Sequence, residues 1–166
     1  LGTALTNMQG RILKKYADEI IVCYDTDTAG RKATDRGLEI LSQLGCRAKV
    51  LELPDAKDPD EYIRKNSAEK FKNLVDRAIS LLEYKIRQLK LNFPTDTPEG
   101  KLAFLNGAAD LLIEQENMME REMFMKTISR DYDITMDTLQ AEVNRRLNQK
   151  KRRDKNREFD KAARKM

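Results

Sequence analysis

Residues 19–33 read EIIVCYDTDTAGRKA, and this stretch decides the fold. The run from Glu19 to Tyr24 is mainly apolar and rich in β-branched and aromatic residues, which is typical of a strand covered on both faces in a parallel sheet. The run ends at Asp25, and an apolar helical period resumes after Gly30. Gly45 then provides a helix-ending signal. The stretch therefore predicts a buried strand followed by a helix.

A second predicted strand follows that helix. Residues 47–53, RAKVLEL, alternate apolar and polar positions and stop at Pro54. Strand, helix and strand form one βαβ unit, and the right-handed crossover rule makes its strands parallel. In open parallel sheets ligands bind outside the carboxyl ends of the strands. Both acidic clusters of the sequence, DTD and the cluster in PDAKDPDEY, follow those ends.

The remaining sequence predicts helices. Thr6 precedes an amphipathic stretch ahead of the first strand, and Ser67 opens another after the second. A further amphipathic stretch covers about 79–91, and Thr97 followed by Pro98 is a favourable helix start. Thr135 caps a last predicted helix, whose apolar pattern fades beyond Leu147. We expect the methionines of this region to fill its core: Met118, Met119, Met123 and Met125.

These patterns predict three segments. An α/β unit occupies 1–78, a helical unit occupies 79–148, and a basic linker or helical extension occupies 149–166. The formal net charge is +4, yet residues 150–166 contain nine Lys or Arg against three Asp or Glu. That tail is therefore either a nonspecific nucleic-acid contact through phosphate neutralisation or a solvated connector. Its single aromatic residue and interrupting acids favour the connector.

Composition excludes several classes of chemistry. The sequence contains no histidine, which removes Ser-His and Cys-His nucleophilic machinery and leaves almost no ligands for zinc. Cys23 and Cys46 are not in a C-x-x-C spacing, so we interpret them as packed thiols in a reducing compartment. No apolar run approaches the roughly 18 residues of a membrane span. We expect a soluble, cytoplasmic protein.

The DTD segment is the main candidate site. Asp25 and Asp27 stand two residues apart immediately after a buried strand. Like charges this close raise each other's proton affinity unless a cation lies between them. Mg²⁺ or Mn²⁺ suits carboxylate ligands together with water and phosphate. The following helix directs its positive N-terminal end toward the same space, where Arg31 and Lys32 either contact nucleotide phosphates or remain solvated.

The second acidic cluster extends this candidate site. Residues 53–62, LPDAKDPDEY, place Asp55, Asp58 and Asp60 after the neighbouring strand, with Pro59 restricting the backbone. Because the ends of parallel strands lie side by side, carboxylates from two loops converge. Such a group is large enough to hold two metal ions for in-line phosphoryl transfer.

The acidic residues also admit other interpretations. A single aspartate between a strand and a helix is usually a helix cap. An EF-hand calcium loop is excluded, since its twelfth position would be Arg36 instead of Glu and a strand precedes it. The D-x-D-x-T signature of haloacid-dehalogenase phosphatases fits only in part, because Ala29 stands where that signature has Thr.

Three segments in order, LGTALT at 1–6, YDTDTAGRKA at 24–33 and LPDAKDPDEY at 53–62, resemble the Toprim region of bacterial DnaG-type primases. By this resemblance Asp25 and Asp27 match the catalytic D-x-D metal ligands, and Asp58 and Asp60 match acidic residues lining the same site. Residues 79–147 are similar to the helical subdomain that follows Toprim. The implied fold is α/β, a partial Toprim parallel sheet (βαβ) followed by an all-α helical subdomain.

The resemblance also implies a function. The family is a DNA-directed RNA polymerase that makes short RNA primers from nucleoside triphosphates on single-stranded DNA, using Mg²⁺ or Mn²⁺, and its partners include the replicative helicase. The family's upstream Glu-Gly motif precedes the segment at Leu1, so we expect little or no activity from this chain alone. A noncatalytic module that docks the helicase is the main alternative, and a haloacid-dehalogenase-like phosphatase is a weaker one.

Overall fold

The computed structural model describes residues 5–24 and 28–163, with side chains at 5–23 and 32–160. The chain divides into two compact units, Leu1–Tyr84 and Lys85–Met166. The described elements, in chain order, are α1 (Asn7–Tyr16), β1 (Glu19–Tyr24), α2 (Thr28–Gln43), β2 (Arg47–Glu52), α3 (Pro59–Lys65), α4 (Ala68–Asp76), β3 (Ile79–Ser80), α5 (Leu81–Asn92), α6 (Pro98–Glu114), α7 (Met118–Asp131) and α8 (Met136–Ala163).

The first unit contains a sheet with the strand order β1-β2-β3. β1 and β2 are parallel, in a register that pairs Glu19 with Arg47 and Tyr24 with Glu52. The predicted βαβ unit is therefore confirmed. β3 is antiparallel to β2 and was not predicted. A strand of two residues is too short to produce a sequence pattern, and only the helix that begins at Leu81 was recognised.

Among the described side chains of the first unit, two apolar clusters contribute to its core. Leu38 of α2 and Val50 of β2 pack with Tyr84 in one cluster. The other cluster joins Leu53 and Tyr62, against which the partly buried Cys23 packs. Full burial of a side chain of this size contributes about 1.5–3 kcal/mol. The second cluster lies under the loop between β2 and α3, and it therefore fixes the position of the acidic residues in that loop.

The predicted helix boundaries agree with the capping chemistry. The hydroxyl of Thr6 accepts from the N–H of Gln9, whose side chain accepts in turn from the N–H of Thr6. The hydroxyls of Ser67 and Thr97 accept from the N–H groups of Lys70 and Gly100 and so cap α4 and α6. Gly45 has a φ of 69°, the left-handed conformation that favours glycine after a helix. These local signals are readable from sequence because donor and acceptor lie within three residues of each other.

The second unit is helical and packs α6 against α7 and α8. Phe104 and Leu112 of α6 are fully buried, together with Met125 of α7 and Val143 of α8. Gly100 is required at the start of α6, because a Cβ there would lie 1.7 Å from the carbonyl oxygen of Pro94. The core of this unit therefore takes buried side chains from all three helices.

The prediction that four methionines fill the core is wrong for three of them. Met125 is buried, whereas Met118, Met119 and Met123 are 75%, 76% and 70% exposed. The buried face of α7 is defined by Met125 and Ile128. Met119 and Met123, one turn apart, lie on a different face of the helix. Composition alone does not distinguish the two faces when both carry methionine.

α8 continues through the basic segment. It is a single helix from Met136 to Ala163, and every described side chain from Lys151 to Asp160 is exposed. Of the two alternatives for the tail, the helical extension is the one that the structure contains as far as Ala163. None of the described helices combines enough length with enough apolar character to cross a membrane.

Candidate metal and phosphate site

The carboxyl ends of β1 and β2 lie side by side. Tyr24 is the last residue of β1 and pairs with Glu52, the last residue of β2. The segments that follow the two strands therefore leave the sheet at the same edge. This is the edge at which open parallel sheets bind ligands.

The segment after β2 forms a braced loop and a short helix. Asp58 is the N-cap of α3, and its Oδ1 accepts from the N–H of Glu61 at 2.8 Å. The Glu61 carboxylate accepts from the N–H of Lys57 at 2.7 Å, and Lys65 donates to the carbonyl of Asp55 at 3.2 Å. Pro59 occupies the first turn, where its missing N–H costs nothing. These bonds fix the orientation of the Asp58 carboxylate.

The structure therefore gives Asp58 and Asp60 helix roles. Asp58 caps α3 through one oxygen, which leaves Oδ2 without a hydrogen bond in the described part of the chain. The Asp60 side chain is 71% exposed and pairs with Arg64 one turn later at 2.9 Å. An exposed ion pair of this spacing contributes only about 0.3–0.5 kcal/mol, so it would yield readily to a ligand.

The Cys23 thiol is affected by the charge of Asp58. Burial of the thiol and, to a smaller extent, the negative charge of Asp58 together raise the pKa of Cys23 to about 11. Cys23 is the penultimate residue of β1, two positions before Asp25. The second acidic loop is thus within electrostatic reach of the strand that leads into DTD. The raised pKa also keeps Cys23 protonated at neutral pH, which excludes it as a nucleophile.

The other predicted site residues are only partly described. Asp25 and Asp27 lie outside the described residues, as does the side chain of Arg31. Lys32 is exposed on α2. Within the described residues, no three His, Cys, Asp or Glu side chains are grouped closely enough to hold a metal ion. The convergence of four carboxylates from two loops stays a prediction.

The sequence reasoning missed Glu61 and Lys65, which stabilise the loop. Lys65 forms an ion pair with Glu61 at 2.6 Å, and the lysine together with the N–H of Lys57 lowers the pKa of the Glu61 carboxyl. The available signal was Asp58 followed three residues later by Glu61, a pattern that marks a helix start. Glu61 and Lys65 therefore hold the loop that precedes α3 in place.

Two family models match successive parts of the chain. Residues 1–63 match a Toprim-like family, and residues 82–137 match the DnaB-helicase binding domain of primase. The first match covers β1, β2 and both acidic segments, and the second covers α6, α7 and nearly all of α5.

Individual proteins give the same result. The DNA primase of Clostridium acetobutylicum is 40% identical over 129 residues, which are 78% of this chain and 22% of the relative. A structure of the DnaG catalytic core superposes with a TM-score of 0.63 at 26% identity, covering 84% of this chain and 46% of that one. The DnaG primase catalytic domain bound to single-stranded DNA gives 0.62 at 28% identity, with 81% and 43% covered.

The parallel sheet edge and the helical unit after it define a Toprim-containing replication protein. The chain belongs to the bacterial DnaG-type DNA primases. It spans about a fifth of the length of the Clostridium relative and less than half of the two solved structures. The predicted fold class, a Toprim-like α/β unit followed by helices, is confirmed. The phosphatase interpretation is left without support.

Proposed function

We propose that this chain supplies part of the metal-binding site of a DNA primase, in which short RNA primers are made from nucleoside triphosphates on a single-stranded DNA template. The observation that carries the proposal is the parallel pairing of Tyr24 with Glu52 at the carboxyl ends of β1 and β2, with Cys23 of β1 packed against Leu53 and Tyr62 on either side of the second acidic loop. The likeness to a DnaG catalytic domain bound to single-stranded DNA supports the nucleic-acid substrate.

The proposed roles of the site residues are those predicted from the sequence. Asp25 and Asp27 are the catalytic metal ligands, and Asp58 and Asp60 complete the site with their remaining carboxylate oxygens. Such an all-oxygen set suits Mg²⁺ or Mn²⁺ better than zinc. A divalent ion bound there would supply charge neutralisation for phosphoryl transfer. Arg31 and Lys32, in the first turns of α2, orient the nucleotide phosphates, which the helix N-terminus also attracts.

Direct measurement of Mn²⁺ binding tests these roles. We expect Asp25→Asn, Asp27→Asn and Asp58→Asn each to weaken Mn²⁺ binding by isothermal titration. Asparagine at position 58 keeps the capping oxygen while removing the charge, so the fold is preserved. Asp76→Asn is the matched control, because Asp76 is an exposed carboxylate at the end of α4. Equal Mn²⁺ affinity in the wild type and all four variants would contradict the site.

A second proposed function, docking of the replicative helicase, rests on the helical unit. Residues 82–137 match a helicase-binding family model, and α7 lies within that range. α7 exposes Met118, Met119 and Met123. Exposed methionines are unusual on a solvated helix and common at adaptable binding surfaces, because their side chains are flexible and polarisable.

The docking proposal is tested by the affinity of the chain for the helicase. We expect the double variant Met119→Gln/Met123→Gln to weaken that affinity, and Met8→Gln to leave it unchanged. Met8 is 74% exposed, as the α7 methionines are, but lies outside residues 82–137. Unchanged affinity in the double variant would remove α7 from the contact. This experiment uses metal-free buffer, so it is independent of the Mn²⁺ measurement.

A further inference from the structure

The second unit contains a groove of about 560 Å³ between α6 and α8. Five cations of α8 line the groove, Arg145, Arg146, Lys150, Arg153 and Arg157. The last four are spaced by four, three and four residues, which places them on one face of the helix. We call this face, with the α6 residues opposite it, the basic groove.

The first half of the basic groove is neutralised by α6. Arg146 forms ion pairs with Asp110 and with Glu142, and it donates to the carbonyl of Asn106 at 3.0 Å. Lys150 pairs with Glu114 at 2.7 Å. These contacts hold α8 against α6, and they neutralise the positive charges of Arg146 and Lys150. This half of the groove therefore has a structural role.

The second half retains its charge. α6 ends at Glu114, and Arg153 and Arg157 make no ion pair or hydrogen bond with any part of the chain that the structure describes. The two arginines are one turn apart, about 6 Å along the axis. Of the described side chains of α8, Asp154 is the one carboxylate in the lining. Two exposed guanidinium groups at a regular spacing are therefore free to bind an anion.

We propose that Arg153 and Arg157 bind the phosphate backbone of a single-stranded nucleic acid that lies in the basic groove. Guanidinium groups bind phosphate through paired N–H donors, and a regular spacing of cations suits a ligand whose charges also repeat. The described lining contains no aromatic side chain on which a base could stack. The contact is thus independent of base sequence.

A nucleic acid fits this surface better than an acidic protein does. Protein interfaces depend on apolar anchors buried near the centre of the contact. α8 carries no apolar residue from Asn148 to Glu158, the part that bears Arg153 and Arg157. The binding energy available there is almost entirely that of charge neutralisation, which is the dominant contribution for nucleic acids. The inference requires neither the metal site nor the helicase contact proposed above.

The salt dependence of binding tests the proposal. Fluorescence anisotropy of a labelled oligothymidylate is measured with the full chain in EDTA, over a range of salt concentrations. The variant is Arg153→Gln/Arg157→Gln, and the matched control is Lys151→Gln/Lys155→Gln. The control removes the same charge at the same spacing from a face roughly 160° away around the helix. Glutamine is a good helix former, so circular dichroism is expected to be unchanged in both.

Each neutralised phosphate contributes about 0.7 to the slope of log affinity against log salt for single strands. We expect the arginine variant to lower that slope by about 1.4, and the lysine control to lower it by less than about 0.5. Equal decreases in both variants would overturn the proposal, since the whole helix would then act as an unstructured polycation. Absence of binding by the wild type, or displacement of the DNA by polyglutamate at equal charge concentration, would overturn it too.

Discussion

The acidic edge of the sheet and the basic groove of the helices concentrate opposite charges by different means. At the sheet edge, the carboxylates lie within two short segments, 25–27 and 55–60, which follow the paired ends of β1 and β2 in the sequence. In the basic groove, the cations are spread from Arg146 to Arg157, and helical periodicity aligns them. The acidic segments can be recognised in the sequence as motifs. The basic groove can be recognised only when the structure shows which of its cations are already paired.

The two regions also differ in the contacts that hold their charged side chains in place. Asp58 is held by a local cap within four residues, whereas Arg146 is held by α6 residues some forty positions earlier. Local support makes the sheet-edge loop tolerant of changes elsewhere. The alignment of the basic groove depends on the packing of the whole helical unit. The two regions are therefore expected to differ in their response to mutation.

Removal of the central aromatic residue of the helical unit is expected to have the largest effect. Phe104 is fully buried, and its ring lies 4.4 Å from that of Tyr132. Phe104→Ala is expected to lower the free energy of unfolding by about 3–5 kcal/mol in urea titrations. Phe159→Ala is the control, since Phe159 is 81% exposed and its removal leaves no cavity. Comparable losses in the two variants would contradict the packing described for α6.

A methyl group at the start of α6 is the next largest perturbation. In Gly100→Ala the new Cβ meets the backbone of Pro94, which cannot rotate away as a side chain can. We expect a loss of about 1–3 kcal/mol in the free energy of unfolding. Gly37→Ala in α2 meets only ordinary contacts at 3.6 Å, so it is expected to stabilise its helix by about 0.5–1 kcal/mol. The opposite signs are measurable by thermal unfolding.

The cap at the acidic loop is expected to contribute a smaller amount. Asp58→Ala removes the acceptor for the N–H of Glu61, which costs about 1 kcal/mol. Asp58→Asn retains an acceptor and is expected to cost only a few tenths of a kcal/mol. It also removes the charge next to Cys23, so the pKa of that thiol falls from about 11. Thiolate absorbance across alkaline pH measures this change, and an unaltered titration would place Asp58 away from Cys23.

The two regions respond to pH in opposite directions, with the smallest expected effects. Burial raises the pKa of Cys23 from 9.0 to about 11, so the thiol's contribution to stability is lost as pH rises through that window. Hydrogen bonds from Arg145 and Arg146 lower the pKa of Glu142 from 4.5 to about 2, so its contribution is lost as pH falls through that window. Cys23→Ala and Glu142→Gln are expected to flatten the alkaline and acid limbs of stability against pH, respectively. Exchanged effects would contradict these assignments.

Much of the fold was readable from sequence where interactions are local. Thr6, Ser67 and Thr97 were recognised as caps because each accepts from a residue three positions later. β1 was recognised from its apolar run, and β2 from its alternating apolar and polar positions. β3 was missed because its two residues depend on the edge of β2 rather than on any pattern of their own. Local signals thus predict helix starts well, whereas the pairing of a short strand such as β3 depends on tertiary contacts.

Sequence patterns also predicted only part of the candidate site. Asp58 was identified as an acidic residue at a strand end, but its capping role was not, although Glu61 three positions later signals it. The exposure of Met119 was not predictable, since the choice between two faces of α7 depends on which face meets α6 and α8. The free state of Arg153 depends on where α6 ends, which sequence patterns locate only approximately.

The length of α8 has a consequence for any strand bound along it. A helix of 28 residues extends about 42 Å, and its charged side chains lie at fixed positions along the axis. In a flexible coil the distances between the charges would vary. The number of nucleotides that one protein molecule occludes would then be fixed by the geometry of the helix. Changes in ionic strength would alter how tightly the strand is held, while the occluded length stays constant.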